Sequence, residues 1–79
     1  MKWTIRFAPG ATADRYSIPR GQAAVFRDAI AVLYDGMPED AQPVPDVDDL
    51  SVYDRNGYRI WFQMLEEIKT LLVIAFREI

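Results

Sequence analysis

The sequence predicts an α+β fold: a four-stranded, largely antiparallel sheet made of an N-terminal strand and a C-terminal three-stranded meander, with one main helix packed on one face. Three observations lead there. Residues Lys2 to Phe7 alternate, with Trp3, Ile5 and Phe7 set against Lys2, Thr4 and Arg6, the period of a half-buried strand. Phe26, Ala29, Ile30 and Leu33 recur at helical spacing and run into Asp35-Gly36 and Pro38, a helix-ending combination. From Leu50 to Arg77, three runs rich in aromatic and apolar residues are separated by short turns.

Along the chain, Pro9-Gly10 ends the first strand, and residues 11–20 carry little periodicity, reading as a connection with a helical turn near Ala13 to Tyr16. Ser17 and Pro19 signal the start of the main helix. Met37 to Asp49 is acidic, and Pro38, Pro43 and Pro45 argue against a regular element within it. The meander then has strands Leu50 to Arg55, Tyr58 to Leu65 and Thr70 to Arg77. Asn56-Gly57 joins the first two as a type I′ turn, which needs positive φ at both central residues.

That turn fixes a register: Arg55 opposite Tyr58, Asp54 opposite Arg59, Tyr53 opposite Ile60 and Val52 opposite Trp61. The second connection leaves a choice, because an odd or an even loop turns opposite faces of the last strand inward. An odd loop, Glu67-Ile68-Lys69, puts Ile60, Phe62 and Met64 on the same face as Leu72, Ile74 and Phe76, and is preferred because it gathers the large side chains under the helix. The opposite face then carries Arg6, Arg59 and Arg77 together with Val52, Trp61, Leu65, Leu71 and Val73. A face so apolar expects a cover, from a partner protein or from a loop of the chain itself.

With 79 residues there is room for one core, so residues 1–79 are read as a single domain. A formal charge of −3 disfavours general nucleic-acid binding, which needs cations to replace phosphate counterions, and leaves only a local basic patch to do so. Without cysteine there is neither a disulfide framework nor a thiolate metal site. No apolar run approaches the roughly 20 residues of a membrane span, and the N-terminus lacks a signal-peptide layout, so a cytoplasmic protein without membrane contact is expected. Asp46, Asp48 and Asp49 lack the ligand spacing and glycine of a calcium loop and read as a solvated acidic loop, one suited to attract a basic protein segment or repel nucleic acid. Tyr53 and Tyr58 read as core residues, since a phenol with a pKa of about 10 makes a poor base at neutral pH. Neither a Ser/His/Asp nor a Gly-rich phosphate-loop arrangement is present.

Gly57-Tyr58-Arg59 opens a strand, Phe62-Gln63 follows, then the acidic Glu66-Glu67, the apolar strand Leu72 to Ala75 and a closing Arg77. In this the segment resembles the C-terminal meander of the RelE/ParE superfamily of toxins from bacterial type II toxin–antitoxin systems. Residues Ile18 to Pro38 resemble the family's second helix with its Pro ending. The resemblance implies a toxin that inhibits translation by ribosome-dependent cleavage of messenger RNA, with an antitoxin as partner and no cofactor or metal. Arg59 and Arg77 would be its catalytic, phosphate-clamping residues, and Arg6 and Trp61 its substrate-binding ones. Two alternatives stand beside it: a ParE-like inhibitor of DNA gyrase, and a non-catalytic binding module on the same scaffold that uses Trp61 and the apolar sheet face, with Arg59 and Arg77 as peripheral strand arginines paired with Asp54 or Glu78. The chain departs from the family pattern in three ways. The first family helix is shortened or absent between Ala8 and Ser17, the second strand carries Ser51, Tyr53 and Asp54 in place of basic residues, and there is no histidine to serve as general acid.

Overall fold

The computed structural model describes residues 2–79. In chain order they form β1 (Thr4–Phe7), α1 (Pro9–Arg15), α2 (Ala23–Ala31), β2 (Gln42–Pro43), β3 (Leu50–Arg55), β4 (Tyr58–Leu65) and β5 (Thr70–Glu78), with single 3₁₀ turns before and after α2 and between β4 and β5. The sheet order is β1-β5-β4-β3-β2; β1 runs parallel to β5, and every other pair is antiparallel.

This is the expected α+β class with one strand and one helix more than the sequence reading assigned. Pro9 begins a helix as well as ending a strand, because its fixed φ and missing N–H suit the first helical position. The resulting α1 tucks Ala11 into the core, and Thr12 Oγ1 donates to the Phe7 carbonyl at 3.3 Å. The additional strand, β2, contains Pro43. It is tolerated there because β2 is the sheet's edge and pairs only with β3, through Gln42 to Val52 and Pro43 to Ser51. The loop ahead of β2 is tied to β3 by an ion pair from Arg55 to Asp40 at 3.0 Å.

The core lies between α2 and the sheet. Phe26, Ala29, Ile30 and Leu33 supply the helical side, as their spacing predicts, against Tyr53, Tyr58, Ile60, Phe62, Leu71 and Val73. Phe26 stacks in a tilted pair on Phe76 with centroids 4.4 Å apart and meets Tyr58 edge-on at 5.3 Å. Gly36 ends the 3₁₀ turn after α2 with φ 101°, and a Cβ there would come within 3.2 Å of Trp3 Nε1. Glycine is therefore favoured by the backbone angle, and a side chain there would also press on the indole packed against it.

The β3–β4 hairpin has the register read from Asn56-Gly57, whose φ values are 57° and 83°. The β4–β5 hairpin does not follow the odd-loop expectation. Leu65 pairs with Thr70, so four residues, Glu66 to Lys69, form the connection, and Leu71 and Val73 turn into the core with no exposed surface. These two residues thus leave the open face, and Leu72 takes its place there beside Gln63. Between Trp61 and Phe62 the register shifts: Phe62 faces Val73 while Trp61 faces Ala75, leaving Ile74 as the extra residue of a β-bulge. The bulge restores the parity that the even loop reversed. Beyond it Ile60 faces Phe76 and Arg59 faces Arg77, as the odd loop had them.

Candidate functional site

On the sheet face away from α2, two cross-strand rows follow from these registers. The first is Asp54, Arg59 and Arg77; the second is Val52, Trp61 and Ala75. Two arginines directly opposite each other repel, so their juxtaposition needs negative charge nearby. Asp54 supplies part of it. Arg59 Nε and Nη2 donate to Asp54 Oδ1 and Oδ2 at 2.8 and 3.0 Å, a bidentate fork. The hydrogen bond from Arg59 holds the Asp54 carboxyl below the usual carboxylate range, and the charges of Arg59 and Arg77 act in the same direction. The same hydrogen bond raises the pKa of Arg59.

Arg77 has no ion pair among the described residues; its guanidinium lies over the Trp61 ring, 5.7 Å from the centroid. The row of one carboxylate and two guanidiniums is net positive in a molecule of net charge −3. Small Ala75 stands opposite Trp61, and the indole stays half-buried. Beside these rows Trp61, Arg59 and Asp54 line an open groove of about 530 Å³ together with Gln42, Val44 and Pro45. Those last three belong to β2 and the two residues after it, a strand that the sequence did not predict.

Of the four site residues expected from the sequence, the fold brings Arg59, Arg77 and Trp61 together. Arg6 lies on the same face but pairs with Leu72, five residues along β5 from Arg77, or about 16 Å at strand spacing. Tyr53 and Tyr58 are buried on the helix side. The Tyr53 hydroxyl donates to the Ala29 carbonyl at 2.8 Å, and burial pushes its pKa well above the ordinary phenol value. Neither phenol reaches the arginine face. Asp46, Asp48 and Asp49 belong to no metal-binding group among the described residues.

Neither a family model nor a curated protein matches the chain by sequence. Solved structures do match. The RelBE2 toxin–antitoxin complex from Mycobacterium tuberculosis superposes with a TM-score of 0.83 at 22% identity, covering 100% of both chains. The isolated RelE toxin of E. coli gives 0.78 at 14% identity over 96% of this chain and 83% of that one. The archaeal RelE–RelB complex from Pyrococcus horikoshii gives 0.71 at 18% identity over 99% and 96%. The chain has the RelE fold. At these identities the likeness is one of backbone architecture. Of the two expectations for the segment between Ala8 and Ser17, a first helix shortened or absent, the fold has the shortened one: α1 is a helix of seven residues.

Proposed function

We propose that this protein is the toxin of a type II toxin–antitoxin pair and that it inhibits translation by cleaving messenger RNA on the ribosome. The observation that carries the reading is the Arg59–Arg77 cross-strand pair with Trp61 beside it, on the free face of a RelE-like sheet. Two guanidiniums side by side fit the oxygens of a phosphodiester. When the neighbouring ribose 2′-hydroxyl attacks the phosphorus, negative charge grows on those oxygens, and cations already in position stabilise it. Trp61 offers its ring to an adjacent base. Arg6, further along the face, would contact the strand beyond the cleaved bond and bind without taking part in the chemistry. In this reading the partner is an antitoxin, since RelE–RelB complexes are among the matching structures, and the place of action is the cytoplasm. No helix among the described residues is long and apolar enough to cross a membrane.

A second reading, a non-catalytic binder or a ParE-like inhibitor of DNA gyrase, draws support from two features. Asp54 accepts from two donors of Arg59, Nε and Nη2, and the chain has no histidine to protonate a leaving oxygen. Induction of the protein alone in bacterial cells separates the readings. Growth arrest with new 5′ ends on ribosome-bound messages, mapped by primer extension, supports cleavage; arrest with a DNA-damage response and intact messages supports gyrase inhibition; unimpaired growth removes the toxin reading.

A further inference from the structure

The end of β4 remote from the arginines carries a second concave surface, a groove of about 940 Å³ between the β2–β3 loop and the β4–β5 turn. Met37, Val47, Leu65 and Ile68 line it and stay 47%, 47%, 37% and 64% exposed, so four of the seven exposed large apolar side chains among the described residues meet in one place. Such a cluster in a small protein marks an interaction site more often than a random surface. Its walls are set by backbone hydrogen bonds, Val44 N–H to the Leu50 carbonyl at 2.9 Å on one side and Lys69 N–H to the Glu66 carbonyl at 3.2 Å on the other. The groove is thus formed before any partner arrives.

What it would accept follows from charge. Asp46, Asp48, Asp49, Glu66 and Glu67 line it, and neither Lys nor Arg does. The nearest cation along the chain, Lys69, leans the other way, its Nζ 5.0 Å from the centroid of the Trp3 ring. With these five carboxylates set aside, nine basic residues face seven acidic ones, so the rest of the molecule is net positive and the negative charge is concentrated at this end. Phosphate backbones and anionic lipid surfaces are repelled by such a groove. A second copy packed symmetrically on it would bring the five carboxylates against five of their own kind.

We propose that this groove docks an amphipathic segment of a partner protein, with aliphatic side chains seated on Met37, Val47, Leu65 and Ile68 and Lys or Arg along its flanks facing the carboxylates. Leu65 is six residues from Arg59 on β4, about 20 Å at strand spacing, so a segment held here leaves the arginine face open unless it extends along the sheet. The assignment stands independently of RNA cleavage.

The probe is a synthetic amphipathic helix with Leu on one face and Lys on its flanks, compared with the same peptide carrying Glu for Lys, each titrated into the full chain and followed by amide NMR shifts. The Lys peptide should bind in a salt-sensitive way, with shifts confined to residues 44–50 and 64–69, and the Glu peptide should not bind. Ile68→Ser with Val47→Ser, both exposed and therefore compatible with folding, should weaken binding at least tenfold. Asp48→Asn with Glu67→Gln should flatten the salt dependence, and Arg59→Ala with Arg77→Ala should leave binding unchanged. The assignment is overturned by shifts centred elsewhere, by equal binding of the Glu peptide, by Ser variants that bind as well as the parent, or by a concentration-dependent dimer in sedimentation that buries the groove.

Discussion

Tyr53→Phe tests how the site-bearing sheet is fastened to α2. Tyr53 is 2% exposed, its ring meets Phe62 edge-on with centroids 5.7 Å apart, and its hydroxyl donates to the Ala29 carbonyl at 2.8 Å. Phenylalanine keeps the ring packing and removes only the donor, so the loss is that of one buried hydrogen bond with its acceptor stranded, about 1–1.5 kcal/mol. In a domain of this size that lowers Tm by roughly 4–12 °C. The pH dependence gives a sharper check. Burial raises the Tyr53 pKa in the folded state, so its contribution is complete below the unfolded pKa of about 10 and falls as pH rises above it toward the higher folded value. By pH 11 the loss is on the order of 1 kcal/mol, comparable with the whole contribution of the hydrogen bond. Denaturant melts of parent and variant should therefore differ by about 1–1.5 kcal/mol at pH 8 and converge near pH 11. Equal stability at pH 8, or a difference that is the same at both pH values, would refute the role given to the hydroxyl.

Three further substitutions address the rest of the account. Asp54→Asn removes the carboxylate that holds both nitrogens of the Arg59 fork and should raise affinity for single-stranded RNA, measured by anisotropy at low salt; unchanged affinity would mean that Arg59 does not meet phosphate. Gly36→Ala places a Cβ 3.2 Å from Trp3 Nε1 at a φ of 101° and should cost about 1–3 kcal/mol in a denaturant melt, with a change in tryptophan fluorescence. Leu33→Ala, at a position with no exposed surface, should cost about 2–5 kcal/mol through the cavity it leaves, which calorimetry would show as a lowered Tm.

Much of the fold was legible because local signals were strong. Asn56-Gly57 fixed one hairpin to the residue, and the register of Asp54 with Arg59 followed from it. The main helix was marked by its apolar spacing and by Gly36. The second hairpin was not legible, since Leu71 to Ile74 are all apolar and alternation has no phase in such a run. Only packing decides there, and it chose Leu71 and Val73 for the core and spent Ile74 in a bulge. The edge strand β2 escaped because proline is a reliable breaker everywhere except at an edge, and whether a segment is an edge depends on the whole sheet. The arginine pair was anticipated for a reason that proved incomplete: an odd loop and an even loop with a bulge place Arg77 identically. The acidic loop was noted as a magnet for a basic segment, but its union with Ile68 and Leu65 needed the tertiary fold.

The central claim is that Arg59 and Arg77 together hold a phosphate of messenger RNA. Arg59→Ala and Arg77→Ala, singly and paired, should leave the far-ultraviolet spectrum and Tm near those of the parent, because both side chains lie on the sheet face away from the core. In a ribosome programmed with a defined message, the parent should produce a discrete cleavage product and the paired variant none, with each single variant strongly reduced. A folded double variant that still cleaves at the parental rate would contradict the claim.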